Sequence, residues 1–227
     1  MSTTPFKDTM LYPILFMLVI CIVFVGMLAV MYRSSEGKIE SQKLDAYQKI
    51  VISLLADPLA EALEAKPLIL INDYKATYES YVKEIKISGL DKRVFTAVVE
   101  DSVLAYCVDI SGKGLWGTMR ALIALSPDLK SLKGLAIYDQ METPCLGARI
   151  GEQWFLDQFS QIQVISMNGS TNGSSHDFEL IPEGQKPANQ YQIQQITGAT
   201  ITSVSVLKML KNEIDLIYVA KQKQVQI

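Results

Sequence analysis

The hydrophobic pattern of this chain begins as an unbroken run. Leu11 to Tyr32, LYPILFMLVICIVFVGMLAVMY, carries no charge. A helix of this length spans about 33 Å, enough to cross a bilayer core. Tyr12 and Tyr32 sit near its ends, where amphipathic rings favour the interface. A cleaved signal peptide has a shorter apolar core and a small-residue cleavage site. Here Arg33-Ser34-Ser35-Glu36 follows instead, so the run is expected to stay as an anchor.

The pattern then becomes helical. Leu44, Tyr47, Val51, Leu54 and Leu55 share one face of a helix expected over 44–63, with Asp57-Pro58 expected to interrupt or kink it. Tyr74, Tyr78, Tyr81 and Ile85 continue at steps of four, three and four, which predicts a second amphipathic stretch.

The middle of the chain changes to short apolar runs. Val94–Val99, Val103–Ile110, Met119–Leu125 and Leu132–Tyr138 predict four strands of an antiparallel sheet. Ser111-Gly112-Lys113-Gly114 and Ser126-Pro127-Asp128 are the expected turns. Gln153 to Phe159 predicts a short helix with Trp154, Phe155 and Phe159 as anchors, and Gln161 to Ile165 another strand. Residues 167–190 are polar and read as a long loop. From Thr202 to about Lys221 a helix is expected to bury Val206, Leu207, Leu210, Ile214 and Ile217. The fold class is α+β, a single transmembrane helix followed by an antiparallel sheet flanked by helices. The expected divisions are a tail at 1–10, the membrane helix at 11–32, a helical membrane-proximal segment at 33–90 and a mixed domain at 91–227.

Composition sharpens this. Mean hydropathy is +0.19, and the uncharged run supplies much of the excess. A net charge of -3 argues against nucleic acid as a partner. Cys21, Cys107 and Cys145 give no paired disulfide framework. The single histidine, His176 in the polar loop, argues against a multi-histidine metal site. The Asn168 and Asn172 sequons matter only in a eukaryotic secretory setting, which nothing in the sequence supports. Arg33 and Lys38 beside the run lean weakly towards a cytoplasmic C-terminal domain.

Three motifs can carry chemistry. Thr197-Gly198-Ala199-Thr200-Ile201-Thr202-Ser203 precedes the last helix. Small residues allow close approach, and the unpaired amides and positive dipole of a helix start suit a phosphate. The plainer alternative is an ordinary threonine or serine N-cap. Glu142-Thr143-Pro144-Cys145-Leu146-Gly147 reads as a rigid loop presenting a carboxylate, a hydroxyl and a leucine, or as a plain surface turn. Gly112-Lys113-Gly114-Leu115-Trp116-Gly117 puts a tryptophan beside a flexible turn, where it plugs the core or stacks on a flat ring. Taken alone, the core plug is the expected role.

Taken in order behind one N-terminal anchor, GKGLWGTM (112–119), YDQMETPCLG (138–147) and TGATITS (197–203) resemble a known family. It comprises the FMN-binding subunits of two respiratory complexes: the C subunit of the sodium-translocating NADH:quinone reductase and the G subunit of the Rnf complex. The resemblance implies that residues 91–227 form an FMN-binding domain. It implies FMN joined by a flavin transferase, through a phosphoester, to the last residue of the TGAT motif, Thr200. Thr202 is the neighbouring hydroxyl most easily confused with it, and it is counted among the implied FMN-binding residues. Thr197, Gly198 and Ala199 would shape the phosphate environment. Glu142, Thr143, Pro144, Leu146 and Gly147, with Leu115 and Trp116, are the implied flavin contacts.

The implied function is electron carriage within an ion-translocating NADH:quinone oxidoreductase, with other subunits and the lipid bilayer as partners. The chain itself carries no complete active site, and no catalytic or metal-ligating residue is expected on it. The implied location is the bacterial cytoplasmic membrane with the flavin domain on its outer side, which overrides the weak charge bias. Two departures matter. Cys145 stands where the family usually has glycine, a costly replacement if that position needs a positive φ. Gln140 stands where Rnf-type subunits usually have histidine, and it favours the quinone-reductase type. Gly147-Ala148-Arg149-Ile150 with Phe155 and Gln158-Phe159 reads towards the Rnf type. A flavin-free binding or assembly module and a self-sufficient reductase of a small extracellular acceptor remain as other classes.

Overall fold

The structure, a computed structural model, describes residues 11–87, 89–164 and 178–225, with side chains described to Lys221. His176, both sequons and Ile165 lie outside the described residues. The chain divides into two compact units, Met1–Ala46 and Tyr47–Ile227.

The first unit is helical from Leu11, within helix α1 (Leu11–Ala62). Its apolar run is long and apolar enough to span a bilayer, and none of it is buried by protein. Side chains such as Phe16, Ile22, Phe24 and Val30 face outward all round the helix, the pattern expected where lipid is the solvent.

In the second unit, α1 continues to Ala62 without the expected interruption, with Pro58 inside it. Proline removes one helical hydrogen bond. Tertiary packing holds the helix regardless, because Val51, Ile52, Leu55, Ala56, Leu59 and Ala60 are buried around it. Helices α2 (Pro67–Asn72) and α3 (Tyr74–Tyr81) follow. The tyrosine stripe does not stay helical as far as Ile85. The chain enters strand β1 (Val82–Ile85), where pairing with the next strand, Val82 opposite Ala97, overrides the helical spacing.

Six strands form one antiparallel sheet in chain order: β1, β2 (Val94–Val99), β3 (Ser102–Lys113), β4 (Thr118–Leu125), β5 (Ser131–Asp139) and β6 (Ile162–Gln163). Both faces are covered, which is why these strands read as apolar runs rather than strict alternation. Val108, Ile110, Met119, Ala121 and Ile123 pack with Val206, Leu210 and Ile214 of helix α5 (Thr200–Val225). Phe95, Ala97, Ala105, Cys107 and Leu122 pack on the opposite face with Val51, Leu55 and Leu59. On that face the phenols of Tyr47 and Tyr138 donate to Asp109 at 2.9 and 2.8 Å. Burial first, and the Asp109 carboxylate second, push both phenols well above their ordinary range.

Between β5 and β6 lie a short 3₁₀ helix (Gly147–Gly151) and helix α4 (Gln153–Asp157), which carries Phe155 into the core. The described part of the polar loop contains strand β7 (Glu179–Ile181), which pairs in parallel with β8 (Gln192–Gln194). The expected turn at Ser111–Gly114 is displaced. β3 runs on to Lys113, opposite Thr118, so the chain reverses through residues 114–117. Gly112 lies inside the strand because α5 crosses there: a Cβ at Gly112 would sit 2.7 Å from the Met209 Cβ.

Candidate functional site

Three segments meet at one end of the sheet: the β3–β4 turn, the loop after β5 and the start of α5. They enclose a cleft of about 330 Å³ lined by Leu115, Trp116, Glu142, Thr143, Leu146, Gly147, Gly198, Ala199, Thr200, Ile201 and Thr202. The fold thus brings together all the residues named from the sequence except Thr197 and Pro144, which are exposed neighbours of the lining. Ile201 was not singled out as a contact, although it lies within the motif.

Glu142 joins the three segments. It is 5 % exposed. Its Oε1 accepts from the Leu115 amide at 2.8 Å and the Trp116 amide at 3.1 Å. Its Oε2 accepts from the Thr202 hydroxyl at 2.6 Å. Gln140 Oε1 in turn accepts from the Glu142 amide at 2.6 Å. Glycine is required on both sides of this carboxylate. A Cβ at Gly114 would lie 2.4 Å from Oε1, and one at Gly147 would lie 2.8 Å from Oε2.

Trp116 does not plug the core. It is 69 % exposed, and Leu115, Leu146 and Ile201 are also exposed around the cleft. The reason is the longer β3, which carries the turn beyond the packed region before the tryptophan is reached. Exposed large apolar side chains gathered at a cleft mark a binding surface.

The Thr143-Pro144-Cys145-Leu146 segment is a tight turn in which the Leu146 amide donates to the Thr143 carbonyl at 3.2 Å. Cys145 has φ +60°. Proline second and a positive φ third are the signature of a type II turn, whose third position favours glycine. The left-handed conformation costs a non-glycine residue about 1–2 kcal/mol, and glycine's greater freedom in the unfolded chain offsets part of that. Cys145→Gly is therefore expected to stabilise the unit by about 0.5–1 kcal/mol. A urea titration checks this, and an unchanged or lower midpoint would contradict it.

The threonine motif is not closed by an ordinary side-chain N-cap. Ala199 occupies the cap position, its carbonyl accepting from the Ser203 amide at 3.0 Å. Alanine has no oxygen to cover the first helical amides. The Ser203 hydroxyl is used behind the helix start, accepting from the Ile196 amide at 3.1 Å and donating to the Ala199 carbonyl at 3.1 Å. Thr200 and Ile201 are exposed, whereas Thr202 is 1 % exposed. Gly198 has φ +79°, and a Cβ there would lie 3.1 Å from Leu146 Cδ2.

An ion-paired clamp holds the other side of this motif. Arg149 Nη2 lies 2.8 Å from Glu183 Oε1, and Glu183 Oε2 accepts from the Thr197 amide at 2.8 Å. Arg149 foremost, then the Thr197 donors, hold the Glu183 carboxyl down to about 2. A depressed carboxylate stabilises the fold above its ordinary value of 4.5, and that contribution fades as pH falls from 4.5 towards 2. The Thr197 amide should therefore lose protection in that acid window relative to the core strands, read by hydrogen exchange corrected for the intrinsic rate. Unchanged relative protection from pH 5 to pH 2.5 would contradict the clamp. Glu183 lacked a sequence signal because it sits in a polar loop with no periodicity.

Residues 114–215 match the FMN-binding domain family. The G subunit of the ion-translocating oxidoreductase complex of Methanosarcina acetivorans is 25 % identical over 207 residues, covering 91 % of this chain and 93 % of that one. The C subunit of the Na(+)-translocating NADH-quinone reductase of Vibrio alginolyticus is 27 % identical over 128 residues, covering 54 % of this chain. That alignment spans about half, 48 %, of the Vibrio protein's length. Among solved structures, the C subunit of the same type of reductase from Parabacteroides distasonis superposes with a TM-score of 0.58 at 22 % identity, over 81 % of this chain and 95 % of that one. The fold is shared: an antiparallel sheet with helices, here following a long apolar N-terminal helix.

Proposed function

We propose, for a chain that carries an FMN-binding domain at residues 114–215, that it is a membrane-anchored electron carrier within an ion-translocating oxidoreductase complex, with FMN held covalently through a phosphoester to Thr200. The observation that carries this reading is the contrast between two threonines at one helix start. Thr200 is exposed at the cleft, while the Thr202 hydroxyl is buried and donates to Glu142.

The residues present fit the cofactor. The uncapped start of α5 offers amides and a positive dipole end to a phosphate beside Thr200. Gly198 keeps the approach open, since a side chain there would press on Leu146. Trp116, Leu115, Leu146 and Ile201 supply apolar surface for a flat ring system. FMN supplies the redox chemistry when bound, and the chain supplies orientation and exclusion of water. Among the described residues no group of three or more metal-ligating side chains is gathered.

The anchor reading rests on the uncharged run of α1. On this reading the flavin domain lies on the outer side of the cytoplasmic membrane. Protease added to spheroplasts should then cut it, and protection would reverse that orientation. A flavin transferase is the maturation partner, and the other subunits of the complex are the electron donor and acceptor.

The quinone-reductase type is favoured by Gln140, which hydrogen-bonds the Glu142 amide. The Rnf type is the second reading, favoured by the near full-length match to the Methanosarcina protein. Reduction of the purified complex by NADH or by reduced ferredoxin separates them.

Denaturing electrophoresis tests the covalent link. Chain co-produced with a flavin transferase should keep yellow-green fluorescence in the denatured band. Flavin released into the dye front would contradict the attachment.

A further inference from the structure

Thr200 and Thr202 are two residues apart on one helix, so their side chains point about 200° apart around its axis. Both line the same cleft, yet their hydroxyls differ completely in state. Thr202 Oγ1 donates to Glu142 Oε2 at 2.6 Å and is pressed against backbone: a Cβ at Gly147 would lie 2.9 Å from it. The carboxylate is itself pinned by the Leu115 and Trp116 amides and by the bare backbone at Gly114.

From this geometry we infer that Glu142 is a specificity-determining residue, which withdraws Thr202 from flavin attachment and leaves Thr200 as the acceptor. The inference rests on the reading of Thr200 as the attachment point. The transfer it governs is a phosphoryl substitution with no redox change. Thr200 Oγ1 forms a bond to the phosphorus of the FMN moiety of a flavin dinucleotide donor. The pyrophosphate P–O bond of that donor breaks, and the nucleoside monophosphate departs with the bonding pair. The hydroxyl proton passes to solvent through the transferase. Thr202 cannot take this path while its proton is engaged and its oxygen is covered. Without the Glu142 side chain, the cleft opens towards Thr202 and its hydroxyl loses its partner.

The test uses the full-length chain co-produced with a flavin transferase, with fragmentation mass spectrometry that resolves Thr200 from Thr202. The unaltered chain should carry FMN on Thr200. Thr200→Ala should drop attachment to background, with nothing on Thr202. Thr200→Ala with Glu142→Ala should restore attachment on Thr202 to at least tenfold above that background. Thr200→Ala with Glu142→Gln should stay at background, because the carboxamide oxygen keeps the Leu115 and Trp116 amides and its NH2 donates to the Thr202 oxygen, which stays covered. A purely structural role for Glu142 predicts no movement of the label between threonines.

Glu142→Asp, which draws the carboxylate back by one methylene, serves as the opened variant if Glu142→Ala does not fold. Label on Thr202 with Glu142 intact overturns the inference. So does background labelling of Thr202 in the folded Glu142→Ala or Glu142→Asp chain. An unaltered chain without FMN on Thr200 overturns the reading beneath it instead, so the two failures are distinguishable.

Discussion

Glu142→Ala is expected to lower the stability of the second unit by about 3 kcal/mol. The carboxylate is buried and accepts from two amides and one hydroxyl. Removing it leaves three donors without a partner. Each unsatisfied buried donor costs about 1–3 kcal/mol, but water entering beside Leu115 and Trp116 recovers part of that. The net is close to one donor's full penalty plus the lost charge-assisted bonds. For a domain of this size the melting temperature should fall by about 6–12 °C. Glu142→Gln should lose less, because one carboxamide orientation still serves the two amides and Thr202. A Glu142→Ala loss under about 1 kcal/mol would show that the three segments hold together without the carboxylate.

Phe155→Ala is expected to cost about 3–5 kcal/mol. Phe155 is fully buried, with Phe159 at 5.4 Å and Trp154 at 5.8 Å between ring centroids. Its helix, α4, packs against the 3₁₀ helix that begins at Gly147 and against β5, the two elements that flank the Glu142 loop in the chain. Protection of the Leu146 amide against hydrogen exchange should therefore fall along with global stability. Denaturant titration gives the first quantity and exchange the second. A loss below about 2 kcal/mol would contradict the packing described.

The strands were legible because local and tertiary signals agree there. Val94–Val99 forms β2 with the bounds read from its apolar run. Disagreement arises where pairing or packing overrides local pattern. Gly112 looks like a turn residue, yet it sits in β3 because Met209 of α5 needs its missing Cβ. That displacement explains why Trp116 is exposed rather than in the core. Pro58 looks like a helix end, yet burial on both sides of it carries α1 through. Tyr81 and Ile85 continue a helical stripe, but pairing to β2 draws the chain into β1.

The site was legible where its chemistry is local. The threonine motif stands at a helix start in the structure, as its small residues suggested, although the helix begins at Thr200 rather than Thr202. The strain expected at Cys145 has a physical basis in its positive φ, at the third position of a turn that favours glycine. What remained illegible is long-range. The Glu142 bond to Thr202 joins residues 60 apart in the chain. The Arg149–Glu183 clamp joins the short 3₁₀ helix to a polar loop, and the two carry no shared pattern. Composition and periodicity report on faces of elements, and neither reports which side chains meet across a fold.

The central claim is that Thr200 carries FMN through a phosphoester. Intact-mass measurement of the full-length chain, purified after co-production with a flavin transferase, tests it most directly when paired with Thr200→Ala. The expected result is a gain of one FMN less one water, located on Thr200 by fragmentation and absent from Thr200→Ala. An unmodified mass, or a gain of the same size that survives Thr200→Ala, would contradict it.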